Sequence, residues 1–274
     1  MTRLSTPRVL GSLSGLIILL CFASAGPAGE YAPVPGQPGK DVVWVPSPPE
    51  MVEKLLDLAA VSPQDFVVDL GSGDGRTVIA AAKRGARAHG IEYDADLVAL
   101  SRRNAANAGV RGRATFEKQD VFRSDFTRAT VIVLFLTPEM NIRLRPRLLA
   151  LKPGTRIVAN TFGIGDWNAD GTATIPGNCD RWCFARLWIV PATVAGIWKM
   201  PQGSMTLKQV YQTFSGTLKG ADGSASVAGR LRGESIFFGA GKIRFTGRVE
   251  GGVMTGIART AGQDIAFRAT RVGD

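Results

Sequence analysis

The sequence predicts an α/β fold, a mostly parallel sheet with helices on both faces, followed by a small antiparallel all-β domain. Three observations predict it. Short apolar runs near residues 65–70, 87–92, 114–119, 129–135 and 155–161 alternate with helical periodicity near 75–85, 94–108 and 139–150. Strand–helix–strand repetition of this kind demands right-handed crossovers and parallel pairing. A glycine-rich turn, Asp69-Leu70-Gly71-Ser72-Gly73-Asp74-Gly75, follows the first run and opens the next helix. From about Val194 helical periodicity vanishes while Gly and Thr become more frequent, as in closely spaced strands and turns.

Residues 1–25 carry Arg3 and Arg8, an apolar stretch densest from Leu16 to Ala23, and Ala23-Ser24-Ala25. They read as an export signal, with the mature chain starting near Gly26 and destined for the periplasm or the medium. The alternative is an uncleaved membrane anchor, although Leu10 to Ala25 falls short of the roughly 20 apolar residues of a span. Cleavage removes Cys21 and leaves Cys179 and Cys183, a pair that either forms a disulfide or stays as two thiols. With His89 the only histidine, the C-x-x-x-C pair does not supply a zinc set, and no metal is expected. The net charge of +10 favours acidic partners or anionic membranes. Its arginines are scattered, without the basic and aromatic stripe that tracks a nucleic acid, so no nucleic-acid partner is expected.

Residues 26–42, rich in Pro and Gly, read as a linker, and residues 43–193 and 194–274 as two domains. Within the first, Ser47-Pro48-Pro49 starts a helix over 49–60, with Met51, Leu55, Leu58 and Ala59 on one face. "DVVWV" with Trp44 reads as a strand-like packing element. After "TFGIGDW", whose Trp167 reads as a packing anchor, "TATIPG" and "CFARLWIVPA" suggest a hairpin closing the sheet edge. In the second domain "GTLKG", "GRLRG" and "GRVEG" form a weak repeat. It predicts five to seven antiparallel strands in a small barrel or sandwich.

Glycines in a strand-to-helix turn let a ligand approach the backbone, and the helix start offers N–H groups to an anion. Here the turn is G-x-G-x-G led by Asp69, with Arg76 where a dinucleotide turn has its third glycine. It resembles motif I of the class I S-adenosylmethionine-dependent methyltransferases, a Rossmann-like family. That resemblance implies S-adenosylmethionine as the cofactor, with Gly71, Ser72, Gly73, Asp74 and Gly75 cradling its carboxylate end and Asp69 attracting its ammonium. Glu92, ending the next strand in "HGIEYD", would accept from the ribose diol. Asp120 in "EKQDVF" would accept from the adenine amino group, with Val121 against the ring. "LKPGTRIV" at 151–158 is a further feature of the superfamily.

"VPSPPEMVEKLLDLA" and the stretch from "VLFLTPEMN" to "GIGDW" are similar to a subgroup containing small mitochondrial protein-lysine methyltransferases and exported bacterial relatives. The resemblance implies methyl transfer to a protein lysine, with a membrane-associated protein among the candidate substrates. An acidic residue after the fourth strand would then orient the amine. Glu139 is the catalytic candidate, with Thr137 and Asn141 as neighbours. At a helix start Glu139 equally serves the macrodipole. The readings set against methyl transfer are an exported binding or sensor module that keeps the fold, and a nicotinamide-dependent oxidoreductase.

Overall fold

The computed structural model describes residues 1–2, 31–176, 181–221 and 223–272. Nearly all of the segment read as a signal or anchor lies outside the described residues, and so does Cys179.

Among the described residues, four helices and seven strands precede the all-β part. The helices are α1 (Pro49–Leu58), α2 (Arg76–Lys83), α3 (Ala95–Asn107) and α4 (Pro138–Leu149). The strands are β1 (Phe66–Leu70), β2 (Arg87–Glu92), β3 (Ala114–Lys118), β4 (Val131–Leu134), β5 (Arg156–Asn160), β6 (Gly171–Thr174) and β7 (Phe184–Ile189). Prolines at the first turn start α1 and α4, where their missing N–H would have had no partner. Asp94 caps α3 by accepting from Asp96 and Leu97 N–H at 2.7 and 3.2 Å, satisfying two of the helix's unpaired donors. The run "DVVWV" forms no strand.

The sheet order is β3-β2-β1-β4-β5-β7-β6. β1 to β5 run parallel, while β7 is antiparallel to both β5 and β6. The expected hairpin therefore closes the edge. Alternation along each strand divides the core. Val67, Val131, Val133 and Val158 face α1, α2 and α3, whereas Val68, Leu70, Ile132, Leu134 and Ile157 face Leu144 and Leu148 of α4. Chain order runs outward from β1 through β2 to β3, then returns to the other side of β1 with β4. This reversal opens a crevice at the carboxyl ends of β1 and β4, where ligands of such sheets bind.

Eight further strands close into an antiparallel barrel, β8 (Gly196–Met200), β9 (Gly203–Val210), β10 (Thr213–Gly220), β11 (Gly223–Arg232), β12 (Ser235–Ala240), β13 (Ile243–Glu250), β14 (Val253–Arg259) and β15 (Asp264–Arg271). The expected five to seven strands become eight because "GIWKM" is itself a strand that pairs with both β9 and β15. The interior is filled: Phe238 and Phe245 stack with centroids 4.3 Å apart, Phe267 meets both edge-on, and Phe214 meets Phe238 edge-on. Packing also explains the repeat. In "GRLRG" the Gly229 position has no room for a Cβ between Phe214 and Phe238, Leu231 is buried, and Gly233 turns the chain with φ 62°.

Sheet and barrel belong to one compact unit, residues 33–274. Trp167, 1% exposed, donates its indole N–H to Gln212 Oε1 at 3.0 Å, and Gln212 Nε2 donates to the Asn168 carbonyl at 2.8 Å. Tyr211 stacks on Trp167 and donates its hydroxyl to Asp166. Arg230 pairs with Asp170 at 2.7 Å. Trp167 is thus a packing anchor, and what it anchors is the barrel.

Candidate active site

The crevice above β1 and β4 is a cleft of about 310 Å³, lined by Asp69, Gly71, Ser72, Gly73, Asp74, Glu92, Asp120 and Val121 together. The ends of three successive strands thus meet in one space, as the sequence pattern requires. Glu92 is held there by three backbone donors. Gly73 N–H reaches one carboxylate oxygen at 2.9 Å, and Tyr93 and Asp94 N–H reach the other at 2.7 and 3.0 Å. Fixed at both oxygens, the carboxylate keeps lone pairs for a diol. The Gly73 N–H, expected to serve a ligand carboxylate, is instead spent on Glu92.

Asp69 is buried, and its carboxyl is pushed well above the ordinary range by burial and by the nearby Glu92 and Asp74. The Thr77 hydroxyl pulls in the other direction. A buried acid facing two further carboxylates suits a cationic ligand group, and S-adenosylmethionine carries two, an ammonium and a sulfonium. Asp120 accepts from Phe122 N–H at 2.9 Å and from Lys40 Nζ at 2.7 Å. The Lys40 bond and this backbone donor hold its carboxyl below the ordinary range.

Two residues of the turn act in the scaffold. Gly75, φ 83°, is absent from the lining, and a Cβ there would meet the Phe116 ring at 2.8 Å and Ser101 at 2.9 Å. Its lack of a side chain brings α2 onto the sheet. Asp74 lines the cleft, yet its carboxylate is engaged by Arg76 at 2.6 Å, and Arg76 also donates to the Ser47 carbonyl at 2.7 Å.

Glu139, the catalytic candidate of the sequence, lies apart from the other candidates. It is exposed in the first turn of α4 and does not line the cleft; there it complements the helix dipole. Thr137 does line the cleft, but its Oγ1 caps α4 by accepting from Met140 N–H. Asn141 is fully buried and donates to the Gly163 carbonyl at 3.1 Å. Beside it on α4, Arg145 pairs with Asp166, while Arg147 donates to the carbonyls of Val121 and Ser124. Helix α4 therefore ties the loops at both ends of the cleft.

The other walls carry no recognisable signal in the sequence. Residues 37–47, read in part as linker, fold over the cleft as a strap. Two backbone bonds close it on itself, Gly36 N–H to Trp44 O and Trp44 N–H to Gln37 O. The Trp44 indole nitrogen lies 2.7 Å from where a Cβ on Gly73 would sit, so glycine there admits the strap as well as a ligand. Phe135, Phe162 and Trp182 line the side away from Asp120. Phe135 directly follows the apolar strand β4, but Phe162 and Trp182 sit in irregular loops without periodicity. His89, read as a core or edge residue, is half-buried on β2 with Nδ1 2.9 Å from Thr115 Oγ1, and burial lowers its pKa.

Comparison with known proteins agrees with this geometry. The family described as the ANTKMT methyltransferase domain matches residues 69–171. A protein-lysine N-methyltransferase of Saccharolobus islandicus is 42% identical over 130 residues, 46% of this chain and 81% of the relative. The adenine nucleotide translocase lysine N-methyltransferase of Mus musculus is 33% identical over 146 residues, 52% of this chain and 62% of its own length. This chain therefore spans less than two thirds of that mouse relative. A solved RNA methyltransferase from Salinibacter ruber, in complex with S-adenosyl-L-homocysteine, superposes with TM-score 0.52 at 42% identity, covering 55% of this chain and 96% of that one. With the glycine turn, Glu92 and Asp120 gathered in one crevice, the chain belongs to the class I S-adenosylmethionine-dependent methyltransferases, in the subgroup that contains the protein-lysine methyltransferases.

Proposed function

We propose that this enzyme methylates the ε-amino group of a lysine in a protein substrate. The observation that carries the reading is the 42% identity to a protein-lysine N-methyltransferase over 81% of that relative's length. S-adenosylmethionine supplies a methyl group already activated on a sulfonium, so the chain's task is to bind, orient and exclude water. Asp69 serves the cationic end, Glu92 the ribose and Asp120 with Val121 the adenine. The strap of residues 37–47 covers the cleft and keeps water out. Among the described residues the carboxylates that line the cleft come from the strap and from the ends of β1, β2 and β3, none from the segments that carry Phe135 and Phe162, so the lysine would lose its proton to solvent as it approaches these rings, where desolvation lowers its pKa.

A second acceptor class has one observation in its favour, the likeness to the RNA methyltransferase of Salinibacter ruber. Incubating the purified chain with isotopically labelled S-adenosylmethionine and cell extract separates the two. The expected label survives ribonuclease, is lost with protease, and appears on lysine after hydrolysis. Label found only in RNA would overturn the reading.

We further propose that the folded part works outside the cytosol or at a membrane, with a membrane-associated protein as substrate. Residues 1–25 support this, as does Cys183, which is disulfide-bonded, the state that oxidising compartments preserve. The N-terminal residue of the mature protein, read in its native cell, tests it. A chain beginning at Met1 in a soluble cytosolic fraction would refute it.

A further inference from the structure

We infer that Phe135, Phe162 and Trp182 form the wall against which the acceptor's alkylammonium group lies, and that they set acceptor specificity. The inference rests on the lysine reading above. Asp120, Glu92 and the glycine turn place the ligand's length along the ends of β3, β2 and β1. The next strand ends in that row are those of β4 and β5, followed by the start of antiparallel β7. Phe135 follows β4, Phe162 follows β5, and Trp182 precedes β7. Leu136 binds this wall to the turn: a Cβ on Gly71 would meet its Cδ2 at 2.9 Å. The acceptor side therefore begins where the sulfur end of the ligand stops.

The three rings make one surface. Phe135 stacks on Phe162 with centroids 6.3 Å apart, and Trp182 meets them edge-on at 5.4 and 5.5 Å. All three are half-buried and line the cleft. Half-buried ring faces attract a cation, and they take up the four methylenes of a lysine as well.

The backbone is strained to present them. Only four non-glycine residues among those described have positive φ, and two are Thr161 at 60° and Trp182 at 61°. For β-branched Thr161 this is a rare conformation. Strain of this kind persists only where the surroundings enforce it, and it gathers at functional sites. Here Thr161 N–H donates to the Phe184 carbonyl at 2.6 Å, its own carbonyl accepts from Arg186 Nε at 2.9 Å, and its hydroxyl bonds Asn160 Oδ1 at 3.0 Å. Trp182 is held by its neighbour Cys183, which is disulfide-bonded. An ordinary core aromatic needs no such arrangement.

The wall also suits the chemistry. The amine lone pair forms the N–C bond while the C–S bond breaks and its electron pair goes to sulfur. Positive charge moves from sulfur to nitrogen, and the nitrogen then releases a proton to water. Ring faces beside the nitrogen stabilise the charge as it arrives.

The test compares the full chain with Phe162→Ala, Trp182→Ala and Trp182→Phe, using a lysine-containing protein acceptor identified with the wild type. Both alanine variants are expected to raise the acceptor KM about threefold to thirtyfold. Calorimetric affinity for S-adenosylhomocysteine should stay within twofold, and Trp182→Phe should recover most of the loss. Unchanged acceptor KM in both alanine variants would overturn the inference, as would a parallel loss of S-adenosylhomocysteine affinity, which would assign the rings to the cofactor. A wild-type enzyme that labels no lysine would instead overturn the acceptor reading, so the two failures are told apart.

Discussion

Because burial and two neighbouring carboxylates raise the Asp69 pKa, the native chain holds a proton that the unfolded chain has already lost. From the ordinary carboxylate range up to the raised value the native state binds more protons, so this residue makes stability fall as pH rises through that window. A cationic ligand reverses the preference and expels the proton. Asp69→Asn, neutral and of the same shape, should therefore flatten that part of the pH–stability curve and raise the melting temperature at neutral pH. It should also weaken S-adenosylmethionine binding at least tenfold. Thermal scans from pH 4 to 8 and calorimetry check the two halves, and a variant both less stable and unimpaired in binding would contradict them. Of the residues around Asp69, Glu92 and Asp120 were legible because each ends an apolar run, and a strand end in this topology has one place to go. Trp44, Phe162 and Trp182 were not. Each sits in an irregular segment whose path is decided by tertiary contacts, and an aromatic residue there looks the same in sequence whether it lines a cleft or fills a core.

At the scale of elements, the strap shows why composition misleads. Residues 27–41 have the Pro and Gly content of a linker, and nothing local to the chain shows that from Gln37 onward they cover a cleft. What fastens the strap is distant in sequence. Arg76 takes the Ser47 carbonyl, Asn160 donates to Ser47 Oγ at 3.1 Å, and Lys40 reaches Asp120 while lying 4.5 Å over the Tyr93 ring. The buried end at Ser47 is the firm one; the exposed ion pair at Lys40 is the weak one, as such pairs usually are. The strap should therefore open from the Lys40 end. A bound ligand would lie beneath the strap and fasten it at a second place. Amide exchange of residues 36–44 is expected to slow when S-adenosylhomocysteine binds, and Lys40→Met is expected to speed it in the unbound enzyme by no more than about fivefold. Exchange mass spectrometry on both chains decides it. Exchange indifferent to the ligand would show that the strap takes no part in binding.

For the whole molecule, the parallel sheet followed from strand–helix alternation, but the order of its strands did not. Closure of the barrel did not follow, because a meander of short strands fits an open sandwich equally well until the first and last strands pair. Still less legible was the junction, which depends on Gln212, a polar residue between two strands with nothing in its neighbours to mark it. Gln212 is 5% exposed and satisfies both the Trp167 indole N–H and the Asn168 carbonyl. Gln212→Ala would leave the buried Trp167 indole N–H unpaired, at about 1–3 kcal/mol, while the carbonyl of exposed Asn168 turns to water. For a chain of this size the melting temperature should drop by roughly 2–10 °C. The loop from Thr161 to Trp167 spans the distance from the aromatic wall to the barrel, with Phe162 at one end and the junction tryptophan at the other. Loosening the junction should thus raise the acceptor KM while leaving cofactor affinity unchanged. If the two properties separated, with stability lost and KM unmoved, the barrel would be a passenger on the enzyme. If they move together, the barrel is the support that keeps the acceptor wall in place.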